Sequence, residues 1–328
     1  MMEAITEVQL SMKNSPGLES AIKVTRKKGI TINLRLFLLV APFLALTFIF
    51  SYFPLYGWVY AFFNYKPPLR LSQCEFVGLQ WFKMMFDGSG QINQVLDIMR
   101  NTFAISGLGI LTSVLPVIFA IFLSEIKAVR FKKFIQTFTT LPNFISWVLV
   151  YAVAYSMFSS SGMVNNFGQQ LGLIDQPIKF LDSDSFTWIK MCLWGVWKSL
   201  GWSAIMYIAA IAGIDQELYE AATVDGAGRF KLIRHITLPG LMPTYSVLLL
   251  LSIAGFLNNG LDQYYVFQNA FNRDHIQVLD LYVFNISVGG QNMYSFATAL
   301  SMLKSIISVA LLFVVNRLSK ITRGEMIV

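Results

Sequence analysis

Apolar residues in this chain fall in six long runs, at 34–63, 103–124, 134–158, 188–212, 244–261 and 296–316, separated by polar segments. Each is close to the roughly 20 residues that a helix needs to cross a hydrocarbon core. None shows the roughly ten-residue alternation of a membrane strand, and backbone groups in lipid must be satisfied within their own segment. The pattern therefore predicts an all-α polytopic membrane protein with six transmembrane helices. The first run is too long for the apolar part of a signal peptide and lacks a small-residue cleavage site, so it reads as an uncleaved span, kinked at Pro42 and Pro54.

One polar stretch, 215–243, is patterned rather than merely solvated. Asp215 is placed to cap a helix whose first turn carries Glu217, an acid favoured near a helix N-terminus. Gly226 offers a left-handed stop. A second helical run opens at Arg229, with Phe230, Ile233 and Ile236 on one face, and is expected to break at Pro239 and Gly240. Two short helices result. The first is marginal in water without a partner surface, and Ala221 and Ala222 keep it slim enough for a groove.

Composition sharpens this picture. The chain is 55% hydrophobic and only 13% charged, with a mean hydropathy of +0.57. The net charge of +7 comes without a basic face or aromatic-basic interleaving, so nucleic acid is not implied. Lys and Arg instead alternate by loop: sixteen fall on the side of the two termini, the 125–133 loop and the 213–243 loop, against six on the other side. The positive-inside rule then makes both termini cytoplasmic. The organisation expected is a cytoplasmic tail (1–33), a first transmembrane helix (34–63), an extracytoplasmic loop (64–102), a core transmembrane domain (103–316) with the polar stretch at 213–243, and a cytoplasmic tail (317–328). Cys74 and Cys192 lie in unrelated contexts and read as small hydrophobes. There is no GxxxxGK[ST] loop, no HExxH, no nucleophile elbow and no paired metal ligands; His235 and His275 are the only histidines. An enzyme reading has no residues to rest on.

Glu220-Ala221-Ala222, Asp225-Gly226-Ala227-Gly228, Phe230 and Ile236-Thr237-Leu238-Pro239 resemble the EAA signature of permease subunits in type I ABC importers. Residue types, spacing, cytoplasmic placement and position two spans from the C-terminus all agree. Pro54-Leu55-Tyr56-Gly57, Phe76-Val77-Gly78-Leu79, Asn101-Thr102 and Trp197-Lys198 with Gly201-Trp202 look like the carbohydrate and polysaccharide branch, and within it the permeases that import acidic or complex oligosaccharides such as alginate. The resemblance implies the type I importer permease fold in a bacterial cytoplasmic (inner) membrane. It further implies a second permease subunit, two ATPase subunits and an extracytoplasmic solute-binding protein. No cofactor is expected in this chain, ATP and magnesium being held by the partner ATPase. The short helix becomes a coupling helix whose contacts are Glu217, Leu218, Glu220, Ala221, Ala222, Asp225, Gly226 and Ala227.

A sugar crossing a bilayer needs hydrogen-bond partners and flat apolar faces, which singles out polar and aromatic residues inside the spans. The fourth span offers Trp197, Lys198, Ser199 and Trp202; the end of the fifth offers Ser252, Asn258, Asn259, Gln263 and Tyr264; the third offers Asn143 and Tyr151. Lys198 lies about 15 Å into its span at 1.5 Å per residue. Such a charge costs roughly 2.5–3.5 kcal/mol and must face a cavity or a partner. It either meets an acidic sugar or pairs with carbonyls at helix ends. Asn258 and Asn259 fall where maltose-type permeases place sugar contacts, or else form an interhelical hydrogen bond. Lys304 and Glu125 are read as snorkelling or pairing near helix ends. The rival classes are an ion-coupled secondary transporter, which would want acidic relays between related halves, and a non-transporting membrane scaffold or sensor.

Overall fold

The computed structural model describes Leu34 and residues 36–86 and 91–323. The chain divides into two units, Met1–Val59 and Tyr60–Val328. The tail 1–33 and residues 324–328 lie outside the described residues, as do most of the charges expected there. The described chain is helical, with a single isolated antiparallel bridge between Phe63 and Phe76. The helices that matter below are α1 (Leu36–Phe62), α2 (Ile92–Ser124), α3 (Val129–Thr140), α4 (Trp147–Phe158), α5 (Thr187–Ala212), α6 (Gln216–Val224), α7 (Arg229–Ala254), α8 (Leu279–Ser287) and α9 (Tyr294–Arg323).

Among the described residues, five helices are long and apolar enough to cross a membrane: α1, α2, Trp147–Gln170, α7 and Tyr294–Ile321. The expected fourth span is present as α5, a helix of 26 residues, but Lys190 and Lys198 on it dilute its apolar character and it is not among the five. Within the first unit α1 stands almost wholly exposed, as a helix built for lipid or a partner would; its backbone passes into a π turn at Phe48–Tyr52 just before Pro54. Pro54 lacks an N–H, and a wider turn is one way a helix absorbs that loss.

Several expected boundaries move. The helix that carries the second apolar run opens well before residue 103, as Gln91–Thr112, with polar Gln94, Asp97 and Arg100 in its first turns and Asp97 and Arg100 paired at 3.5 Å. The third is not one helix. α3 ends in a tight turn at Leu141–Phe144, the chain extends at Ile145, and Ser146 caps α4 by accepting from Leu149 N at 3.4 Å. Pro142 belongs to a turn of that kind. The expected break at Pro239 and Gly240 is absent. α7 runs from Arg229 through a π turn at Ile233–Thr237 and on past both residues to Ala254, so the second short helix is the first turns of the fifth span. The π turn accommodates Pro239, and Gly240 serves close packing, since a Cβ there would meet Ile214 Cδ1 at 2.7 Å. The last helix also extends beyond the expected 296–316 at both ends.

Three buried clusters hold the second unit. One joins α9 and α8 to Met85 and Ile98; one joins α4, Tyr264, Phe267 and Ile276; one joins α2, α5 and α7 through Ala120, Ala204, Tyr207 and Leu241. The short helix Gln80–Met84 packs inward, Trp81 Nε1 donating to Phe63 O at 3.1 Å.

Candidate functional site

The patterned polar loop folds as its caps require. Asp215 Oδ1 accepts from Glu217 N at 3.0 Å and opens α6. At its other end Gly226 takes φ +78, Ala227 N donates to Ala222 O at 2.9 Å and Gly226 N to Thr223 O at 3.0 Å, a Schellman closure that leaves few orphan carbonyls. Tyr219 OH lies 3.0 Å from Thr237 Oγ1 and ties α6 to the π turn of α7. Glu217, Leu218, Glu220, Ala221, Asp225 and Gly226 are exposed, while Ala222 and Ala227 are half-buried. Val224 and Phe230 are 88% and 89% exposed.

A cavity of about 860 Å³ in the second unit lies among α2, α5 and the C-terminal half of α7. Ser199, Trp202, Ser252, Asn258, Asn259, Gln263 and Tyr264, all expected along the pathway, line it. So do Ser106, Thr112, Ser113, Ser203 and Tyr207, of which those on α2 had no signal beyond being lone hydroxyls in an apolar run. Asn259 Nδ2 donates to Ser106 Oγ at 2.8 Å, and Ser106 donates on to Phe256 O at 2.5 Å. Asn259 Oδ1 is buried without a partner. Gln263 Nε2 donates to Met191 O at 2.7 Å. The wall thus mixes amides and hydroxyls with the rings of Trp147, Trp202, Phe256 and Tyr207, the combination that saccharide hydroxyls and ring faces need.

Four expected pathway residues are elsewhere. Lys198 is 9% exposed and turned away, its ammonium donating to Pro142 O (3.1 Å), Asn143 O (2.8 Å) and Ile145 O (2.7 Å), with the Trp147 ring 5.4 Å off. All three of its hydrogens are taken by carbonyls that the break between α3 and α4 releases, so of the two readings the carbonyl one holds. Asn143 contributes that carbonyl and does not line the cavity. Trp197 points outward and meets Trp194 edge-on at 5.8 Å. Tyr151 packs on Phe267 with ring centroids 5.1 Å apart, where the chain closes over Met191.

Toward the N-terminal end of α2 a polar network ties it to α5 and to residues 274–277. Asn101 Nδ2 donates to Asp274 O (2.8 Å) and Gln277 O (3.3 Å), Trp188 Nε1 donates to Asn101 Oδ1 (3.2 Å) and His275 O (2.9 Å), and His275 Nδ1 sits 2.5 Å from Asp184 Oδ2. Ile276 and Val278 beneath it are fully buried.

A cavity whose wall carries amides and hydroxyls opens among apolar helices, and a capped, exposed short helix joins two of those helices. Residues 112–323 match the family described as binding-protein-dependent transport system inner membrane component, and the chain belongs to it. It is 35% identical over 317 residues to Protein LplB of Bacillus subtilis (strain 168), covering 94% of this chain and 98% of that one. It is 32% identical over 313 residues to the polygalacturonan/rhamnogalacturonan transport system permease protein YteP of the same organism, covering 93% and 95%. The fold is similar to that of a bacterial ABC transporter involved in import of the acidic polysaccharide alginate, with TM-score 0.78, 28% identity and coverage of 91% and 99%. A second structure, of the alginate transporter in complex with its alginate pentasaccharide-bound periplasmic protein, gives TM-score 0.79 at 28% identity, with coverage of 91% and 98%. The chain is therefore a multi-pass inner-membrane permease subunit of an ABC importer for sugars or oligosaccharides. It is not an enzyme; the nucleotide-binding ATPase of such importers is a separate subunit.

Proposed function

We propose that the chain carries acidic oligosaccharides through the cavity among α2, α5 and α7, and that α6 couples this passage to an ATPase. The observation that carries the reading is the cavity wall, where Ser106, Ser199, Ser252, Asn258, Asn259 and Gln263 alternate with aromatic rings inside an otherwise apolar bundle. Acidic cargo is supported by the alginate and polygalacturonan importers to which the chain is similar. Among the described residues none lining the cavity is Lys or Arg, so a uronate carboxylate is met here by amides and hydroxyls rather than by Lys198.

The six-span topology, with α5 counted and both termini cytoplasmic, puts α6 on the ATPase side and the Asn101–Trp188–His275 network on the outer side. The working assembly comprises this subunit, a second permease, two ATPases that hold ATP and magnesium, and the extracytoplasmic binding protein. Closure of the ATPases pulls α6, and through Tyr219 and Thr237 it tilts α7 against α2 and α5 as rigid bodies. The test is uptake by the assembled complex in proteoliposomes, across neutral and uronic oligosaccharides presented on a saturating binding protein. Preferential uptake of uronic cargo, abolished by Ser199→Trp in a complex that still assembles, is expected. Equal uptake of neutral cargo sinks the acidic reading, and full uptake by Ser199→Trp sinks the cavity as the path.

A further inference from the structure

The turn that presents Asn258 and Asn259 to the cavity is held from behind, by residues that do not line it. α7 ends at Ala254, and the chain then crosses to the short helix Asp262–Phe267 through Gly260, whose φ of +81 is left-handed. Gly260 N donates to Asp280 Oδ2 at 3.0 Å, and Asp280 is the first-turn acid of α8. The other oxygen of the same carboxylate pairs with Lys304 Nζ, which reaches across from α9. The side chains of Lys304 and Asp280 are 14% and 21% exposed. Three separate elements therefore converge on one backbone N–H.

The pairing has a physical purpose that snorkelling does not explain. A carboxylate has two oxygens and a free torsion; fixing one oxygen against an ammonium sets the direction of the other. Lys304 thus aims Asp280 at Gly260. On the cavity side the same turn is tied by Asn259 Nδ2 to Ser106, which leaves Asn259 Oδ1 as a buried acceptor with no partner. We propose that Asp280 and Lys304 are positioning residues for cargo: through Gly260 they hold Asn258 and Asn259 in register with the passage. This rests on the cavity being the path.

Two charge-neutral double variants separate positioning from mere stability, since neither leaves a buried charge alone. Asp280→Asn with Lys304→Gln keeps an acceptor for Gly260 N; Asp280→Leu with Lys304→Met removes it. Both are assembled with the partner subunits and assayed for relative uptake rates of a neutral and a uronic oligosaccharide at saturating loaded binding protein. The acceptor-free pair is expected to change the ratio of the two rates about fivefold, the scale of one hydrogen bond, in the same direction as Asn259→Ala. The acceptor-retaining pair is expected to stay at the wild-type ratio. Gly260→Ala adds a methyl where nothing lies within 4 Å but disfavours the left-handed backbone, and is expected to move the ratio the same way in a fully assembled complex. If Asn259→Ala changes the ratio while Gly260→Ala or the acceptor-free pair does not, the positioning role is overturned. An unchanged ratio in Asn259→Ala overturns the cavity reading itself.

Discussion

Replacing Lys198 by Met tests whether this cation serves the bundle or the cargo. The substitution preserves side-chain volume and apolar stem but removes three charge-assisted hydrogen bonds, at 3.1, 2.8 and 2.7 Å, to the carbonyls of Pro142, Asn143 and Ile145. Hydrogen bonds to a charged group contribute about 1.5–3 kcal/mol each, and one ammonium shared three ways falls toward the low end, roughly 4.5–6 kcal/mol in all. Against this stands the roughly 2.5–3.5 kcal/mol cost of keeping a cation at that depth, which the Met variant no longer bears. The difference, about 1–3.5 kcal/mol, lowers the folded-to-unfolded ratio by roughly 5- to 400-fold. Thermal unfolding of the purified complex should therefore shift downward, and less complex should assemble. Uptake per assembled complex should fall equally for neutral and uronic oligosaccharides, because Lys198 does not line the cavity. A Lys198→Met complex of wild-type stability that lost only uronic cargo would refute the reasoning.

Other expectations follow from the same geometry. Gly201→Ala would drive a Cβ into the carbonyl of Thr139, which is backbone and cannot step aside; destabilisation of about 1–3 kcal/mol or more is expected, read as loss of assembled complex on size exclusion. Asp215→Ala removes the cap of α6 and should cost about 0.5–2 kcal/mol locally, lowering ATPase activity stimulated by the binding protein while leaving the amount of membrane complex unchanged. Unchanged stimulation would speak against α6 as the coupling element. Trp188→Phe keeps the ring but loses the N–H shared between Asn101 Oδ1 and His275 O. Loosening the network should raise ATPase activity in the absence of binding protein, and a basal rate equal to wild type would count against that network as a gate.

Much of this was legible along the chain because it depends on neighbours in sequence. Asp215 and Gly226 bound α6 where a cap and a left-handed stop require, and both act through backbone groups two to five residues apart. The apolar runs located the membrane helices because burial in lipid is a property of a segment's own composition. Helix ends were less legible. Polar Gln94, Asp97 and Arg100 prolong α2, and a π turn carries α7 through Pro239, so neither polarity nor proline marked a true boundary. The cavity wall was half legible. Asn258, Asn259, Ser252 and Gln263 line the cavity as expected, whereas Ser106 gained its meaning only from Asn259, 153 residues away.

The sequence by itself determined that this chain lives in a membrane and that α6 is a capped helix in a polar loop, conclusions that need only hydrophobic periodicity, loop charge and local hydrogen bonding. Its likeness to an importer permease rested on the particular residues of the EAA signature. What became of the buried charges was decided by tertiary structure alone. Lys198 has partners because the chain breaks at Leu141–Phe144, 53 to 56 residues earlier, and frees carbonyls there; Lys304 has one because α8 brings Asp280 beside it. A charge in low dielectric must be satisfied, but which group satisfies it is set by the three-dimensional approach of helices, and spacing along the chain carries no trace of that.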